Sequence, residues 1–486
     1  MAEKTTTRRT TPVPWDLRVY QYVTTRLPRT LTRRLGGVKG THAGRVSAGF
    51  AYLLAAVSFL ICMIRQAPCR QSVPTDSPDR FGWMCYSDIT ALYFSRGQGT
   101  GAVPYVTMNW EYPVLTGYFA AIANTISQFF GAVLSPDAEG QQILDNGNIY
   151  FAINAVGLFL CLMWLISSLL RVTPGSPLVA MIVAISPAIW TTALINWDLL
   201  VVALTVAGLA AWVEGRHTWA GVWWGLAIAA KFYPLVIVGA LAVLVVRRDA
   251  WRTRALRSWV TMALTAAATW LLVNLPLMVS NMTGWKYFYT FNYANRGADL
   301  GSLWYALNLA GLDLGHPSWW SRAVMLLGYA GLAVLIYLAP RKPSASQIAY
   351  LAVAVMMVGN LVYSPQYVLW LLPLVVLARP KALDVLVFTF CELFYFVFIW
   401  LYLRGDNLTL GFSSVPWLYV LSIIVRITGC VWVMGRVVVD ALQVPPPLRG
   451  RAPAPVPSDT DETPWVPAPA DPPRTRVDAQ CAMATP

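Results

Sequence analysis

The chain has 486 residues, 57% of them hydrophobic and only 12% charged. That is about half the charge of a soluble domain, so a soluble globular class is excluded. The net charge of +13 is concentrated in residues 1–45, where ten Lys or Arg face two acids, Glu3 and Asp16. Ahead of an apolar run, such a tail touches anionic lipid and holds the N-terminus in the cytoplasm, and no nucleic-acid partner is expected.

The first apolar run, 46–64, starts too late for a secretory signal and is long enough to cross a bilayer as a helix. A polar loop follows to about residue 111 and carries Cys69 and Cys85, which either pair in an oxidising compartment or stay free thiols. Cys62, Cys161, Cys391 and Cys430 fall in apolar runs and read as packing residues. With no CxxC, no metal site is expected. In the same loop "WMCYSDITALYFSRG" (83–97) sets Asp88 among Tyr86, Tyr93 and Phe94 at the start of a short helix, eight residues before Arg96. The plain account is a capping acid. The functional one is a half-buried carboxylate that takes a proton from an acceptor hydroxyl. Glu111, in "NWEYPVL", is either an interfacial acid beside Trp110 and Tyr112 or a group that binds a sugar hydroxyl or orients Arg96.

Segment 112–134 is long enough to span, yet Asn124, Ser127 and Gln128 interrupt it. Charge bias resolves it. Arg171, the basic 247–257 stretch, "RK" at 341 and "RPK" at 379 belong inside, and the loop 135–148, with three acids and no Lys or Arg, belongs outside. Both fall correctly if 112–134 lies along the outer interface as an amphipathic helix. The remaining apolar segments are 149–170, 177–195, 198–213, 218–230, 233–246, 257–279, 322–339, 346–363, 366–378, 382–403 and 415–436. The expected fold is all-α: a polytopic membrane protein of about twelve spans over 46–438. Both termini are cytoplasmic, juxtamembrane helices at 87–97 and 112–134 face the periplasm in the first outer loop, and 218–230 and 233–246 are half-length spans meeting at Pro234. The Pro- and Ala-rich stretch 439–486 is expected to be a disordered cytoplasmic tail.

This topology gathers the polar breaks on one face. Asn196 and Asp198 open a span, where an acid favoured by the helix dipole is the plain account and a sugar-binding acid the functional one. Lys231 interrupts "GLAIAAKFYPL"; it either snorkels to the interface or holds a lipid phosphate, as Arg296 in "NRGADLGSLW" can do bidentately. Gln366 and Tyr367, after Pro365, form a tight turn or meet a sugar or phosphate. His42, His217 and His316 are isolated. There is no Walker A, no GxGxxG after a strand and no HExxH, so a substrate must arrive through the membrane or from outside.

"CYSDITALY", "WEYPVLTGY", "NWDLL", "GLAIAAKFYPL", "RGADLGSLW" and "YSPQYVLWLLPL", in this order, resemble the polytopic GT-C type glycosyltransferases. Over residues 46–436 the chain is similar to the actinobacterial polyprenol-phosphate-mannose-dependent α-1,2-mannosyltransferases, glycosyltransferase family 87. The resemblance implies a polyprenyl-phosphate-sugar donor, mannose first among sugars, and inverting transfer on the outer face of the plasma membrane. The acceptor would be an envelope glycolipid or cell-wall glycan. It also implies that an acid of the first outer loop is the base. Asp88 holds the matching position, alone rather than in an acid pair, with Glu111 as the reserve. Lys231 and Arg296 would bind the phosphate and Asp198 and Gln366 the sugars, with no cofactor required. The rival readings are a transporter or lipid-linked-sugar flippase, against which the one-sided clustering and missing internal repeat weigh, and a non-catalytic assembly subunit acting through its tails.

Overall fold

In a computed structural model the apolar runs become helices. It describes residues 42–71, 80–133, 135, 140–247, 253–294, 297–411 and 413–443. The basic tail up to residue 41, the Pro-rich tail from 444, and Arg296 lie outside the described residues. Helix α1 (His42–Arg65) starts four residues before the expected boundary. The first loop carries α2 (Asp88–Ser95) and α3 (Val114–Phe129), and α4 (Gln141–Val172) follows. The span expected at 177–195 is two short helices, α5 (Leu178–Ile185) and α6 (Pro187–Thr192), because Ser186 caps a second helix that has Pro187 in its first turn. Next come α7 (Asp198–Val213), α8 (His217–Ala230), α9 (Tyr233–Val245) and α10 (Thr253–Ser280). Helices α11 (Met282–Ala294) and α12 (Leu303–Leu309) occupy a stretch without an expected element. The bundle closes with α13 (Pro317–Leu338), α14 (Ala345–Gly359), α15 (Val368–Ala378), α16 (Ala382–Arg404) and α17 (Trp417–Leu442), the last running past the expected limit at 438.

Helix covers every expected span, and the chain is a multi-pass membrane protein. By length and composition α1, α4, α10, α13, α16 and α17 are able to cross a bilayer. Helices α7, α9, α14 and α15 are apolar but short. Helix α3 has 16 residues and two faces. Thr116, Ala120, Asn124 and Ser127 are buried, while Ile122, Ile126 and Phe129 are exposed. Thr116, Asn124 and Ser127 thus face the bundle, and the three apolar side chains face outward.

Close approach of α8 to α10 depends on Gly221 and Gly225, one turn apart. A Cβ on Gly225 would lie 2.5 Å from the Ala266 carbonyl oxygen and 2.7 Å from Thr269 Cβ. Small residues four apart let two apolar helices pack backbone to backbone.

The chain order gives the bundle two distinct ends. Arg171 at the end of α4 pairs with Glu214 at the end of α7. Arg247, just beyond α9, donates to the carbonyls of Ile336 (2.8 Å) and Ala339 (2.6 Å) at the end of α13. Arg379, after α15, pairs with Asp384 of α16 and Asp440 of α17. The helix breaks at 194–197, 231–232 and 360–367 fall at the other ends of these helices. Interrupted backbone is tolerated at membrane depth where it lines a cavity, and these breaks meet at one.

Candidate active site

The breaks enclose a cavity of about 770 Å³. Asp88, Glu111, Lys231, Gln366 and Tyr367 all line it. Asn196 and Asp198 stand behind this wall, and Arg96 meets the cavity only through its ion pair with Glu111.

Asp88 is held from both sides. Ser87 is the N-cap of α2, accepting from the Ile89 N–H (3.3 Å), and its hydroxyl donates to the Leu194 carbonyl (2.6 Å). The Asp88 N–H donates to the Ile195 carbonyl (2.7 Å). The loop helix is thereby tied to the break after α6. On the carboxylate, Oδ2 accepts from the Tyr112 hydroxyl at 2.8 Å, and the Tyr86 hydroxyl also hydrogen-bonds the group. Asp88 is half-buried, open to the cavity and otherwise surrounded by protein. Burial pushes its carboxyl above the usual carboxylate range; the two tyrosines and the Lys231 charge oppose that rise, and Asp198 adds to it.

Tyr112 links the two loop motifs to the spans. Its ring meets Trp197 edge-on at 5.3 Å, and Trp110 packs on the same indole at 5.7 Å. Trp197 is fixed by a 2.7 Å hydrogen bond from its indole N–H to Asn154 of α4. Next to them, the Thr116 hydroxyl donates to the Ala230 carbonyl (2.8 Å), joining the start of α3 to the end of α8.

Lys231 follows α8 in extended backbone (φ −165°). Its ammonium pairs with Asp198 Oδ1 and lies about 5 Å from the ring centres of Tyr112, Tyr367 and Trp370. Asp198, 2% exposed, accepts from the Trp370 indole N–H on its second oxygen (3.0 Å), and its own N–H donates to Asn196 Oδ1 (2.9 Å). Both carboxylate oxygens are thus engaged. The structure gives Asp198 the place of a counter-ion behind Lys231, not the sugar-facing place expected from its sequence. Tyr233, Trp370 and Tyr367 stack in sequence, at 4.5 and 3.8 Å between ring centres, and carry the Pro365–Tyr367 turn.

Several residues here escaped sequence reasoning. Trp370, Asp299 and Asn360 belong to the site, the last two as lining residues, and Tyr86, read from the sequence only as a neighbour of Asp88, is also its hydrogen-bond partner. Arg65, at the end of α1, donates to the carbonyls of Trp190 (3.0 Å), Thr191 (2.6 Å) and Met84. Fully buried Arg426 of α17 pairs with Glu392 of α16 (2.8 Å) and donates to the carbonyls of Tyr363 and Ser364 (2.9 Å), just before the Pro365 turn. Cys69 and Cys85 are joined as a disulfide beneath the same loop.

Residues 143–362 match glycosyltransferase family 87. The glycosyltransferase family 87 match takes in Asn196, Asp198 and Lys231, and leaves Asp88, Glu111, Gln366 and Tyr367 to the flanking loops that complete the cavity. No curated protein matches the sequence. Among solved structures, ArnT from Cupriavidus metallidurans bound to undecaprenyl phosphate is similar at 14% identity and a TM-score of 0.41, covering 80% of this chain and 78% of that one. Its apo state is similar at 13% identity and a TM-score of 0.41, covering 81% and 77%.

Proposed function

We propose that the protein is a polyprenyl-phosphate-sugar-dependent glycosyltransferase with Asp88 as general base. The observation that carries the reading is that Asp88 and Lys231 line one cavity, with Tyr112 donating to the first and presenting its ring to the second. Asp88 takes the proton of an acceptor hydroxyl. The oxygen attacks the anomeric carbon from the face opposite the phosphate, the bond from that carbon to the phosphate oxygen breaks, and its electron pair leaves with the polyprenyl phosphate. Lys231, its charge held by Asp198, meets the charge growing on that oxygen, and Arg296 is a second candidate for this role. Gln366 and Glu111 face the sugars. Lipid phosphate is a serviceable leaving group, and the chemistry asks for no cofactor.

The far end of the bundle carries Arg171, Arg216, Arg247, Arg379 and Lys381, the sign bias of a cytoplasmic face. That bias favours a cavity open to the outside and an envelope glycan or glycolipid as acceptor. Mannose is the first donor to test and arabinofuranose the second. Membranes bearing wild type or Asp88→Asn are incubated with labelled polyprenyl-phosphate-mannose or polyprenyl-phosphate-arabinose and an envelope extract. Transfer by wild type and loss of at least 10²-fold in the variant, as removal of a general base produces, is expected. Equal transfer by both removes Asp88 from the chemistry and shifts the role to Glu111. Movement of lipid-linked sugar without a new glycosidic bond would favour a transporter.

A further inference from the structure

The contacts round Asp88 run in two directions. On one side, Tyr86 bonds the carboxylate and its ring lies 6.0 Å from Phe81; Trp400 lies 6.0 Å from Phe81 and 5.9 Å from Tyr86. All three rings line the cavity. Trp400 is buried and backs the other two, which are half-buried and keep surface toward the space. On the other side stand Tyr112, then Lys231, then Phe232, whose ring meets Phe288 and Tyr289 of α11 at 5.6 Å each. Asp88 thus bonds both to an aromatic wall, where the Arg80 guanidinium stands 5.9 Å from the Phe81 ring centre but outside the cavity lining, and to Tyr112, whose ring faces Lys231, the cation that does line the cavity.

An inverting displacement requires the attacking hydroxyl and the leaving phosphate on opposite sides of the anomeric carbon. The base belongs on the hydroxyl side and the cation on the phosphate side. We propose that the Phe81–Tyr86 wall is the docking platform for the acceptor, a sugar ring laid with its C–H face against the two aromatics, and that the donor phosphate sits across Tyr112 toward Lys231. This rests on the glycosyltransferase reading above and adds which wall takes which substrate. The wall is built before substrate arrives. The Cys85 N–H donates to the Arg80 carbonyl (3.1 Å), the Met84 N–H to the Phe81 carbonyl (3.0 Å), and the Cys69–Cys85 disulfide and Arg65 anchor the loop. The bond changes are those of the transfer itself: the proton goes from acceptor hydroxyl to Asp88, and the electron pair of the broken bond goes to the polyprenyl phosphate oxygen.

The test is a two-substrate kinetic split on the full-length protein. Decaprenyl-phosphate-mannose or decaprenyl-phosphate-arabinose is the donor, a fractionated envelope glycolipid extract the acceptor, and Phe81→Ala, Phe81→Tyr and Tyr289→Ala the variants. Loss of one stacking ring is expected to raise the acceptor KM about tenfold in Phe81→Ala, with the donor KM within about twofold of wild type. Phe81→Tyr keeps the ring and should restore the wild-type acceptor KM, which a variant that merely misfolds would not permit. Tyr289→Ala should leave the acceptor KM unchanged. A Phe81→Ala enzyme with a raised donor KM, or with both constants unchanged, overturns the assignment while leaving the transferase reading in place. Absence of transfer by wild type from either donor overturns both.

Discussion

The Asp198–Lys231 pair allows a sharp separation of stability from chemistry. Asp198→Asn keeps an oxygen for the Trp370 N–H but leaves the Lys231 ammonium without its counter-charge. Stranding one member of a buried pair costs roughly 3–5 kcal/mol. The Lys231 side chain keeps 14% of its surface and three aromatic rings near its charge, so the lower end, about 3 kcal/mol, applies. At roughly 2 °C per kcal/mol for a large chain, the unfolding midpoint in detergent should fall by about 6 °C. Lys231→Met strands the carboxylate instead and should fall by a similar amount. The double variant Asp198→Asn/Lys231→Met strands nothing and should recover most of the loss, yet remain inactive for lack of a cation at the phosphate. Thermal unfolding followed by tryptophan fluorescence, beside a transfer assay, reads both quantities. The reasoning is refuted if the double variant is no more stable than either single one, or if Lys231→Met transfers sugar at the wild-type rate.

Four further outcomes are expected. The raised Asp88 carboxyl must be ionised to act as base, so transfer should decline on acidification through an apparent pKa above the free carboxylate value near 4, and a pH–rate profile checks it. The stability sign is the reverse. A carboxyl whose folded pKa is raised favours the fold below its unfolded pKa and loses that contribution as pH rises through the folded value, so Asp88→Asn should unfold at a higher temperature than wild type at neutral pH. Arg426→Met strands Glu392 and frees the Tyr363 and Ser364 carbonyls, so it should destabilise by about 3–5 kcal/mol, with Arg426→Met/Glu392→Leu recovering most of it in the same unfolding assay. Cys69→Ser removes the anchor of the Phe81 loop and should raise the acceptor KM while leaving the donor KM unchanged in the two-substrate assay.

Much of this site was legible before any coordinates, because a carboxylate among aromatics and a lysine inside an apolar run are both costly and therefore informative. The partnership of Asp198 with Lys231 could have been found too. Helices α7 and α8 have 16 and 14 residues and a short turn, so an antiparallel hairpin brings residue 198 and residue 231 to the same end. Glu392 and Arg426 follow the same rule: each is a charge inside a long span, at matching depth across the α16–α17 hairpin. The rest had no local signal. Trp370 reaches Asp198 across 172 residues, and α11 is aromatic along most of its length without the apolar stripe that marks a helix against a core. The break at Ser186 was hidden because an apolar run reads alike whether one helix or two fill it.

Helix α15 bears on how the protein is made. Its 11 residues rise about 16 Å, against a hydrocarbon core of about 30 Å. Every one of those residues is buried, so its neighbours shield it completely. A segment this short cannot anchor itself in a bilayer as it leaves the ribosome. It must be carried in by α14 before it and α16 after it, and held until α5, α6 and α7 close round it. Insertion and folding are one event for this segment, and the turn with Gln366 and Tyr367 is assembled only once that event is complete.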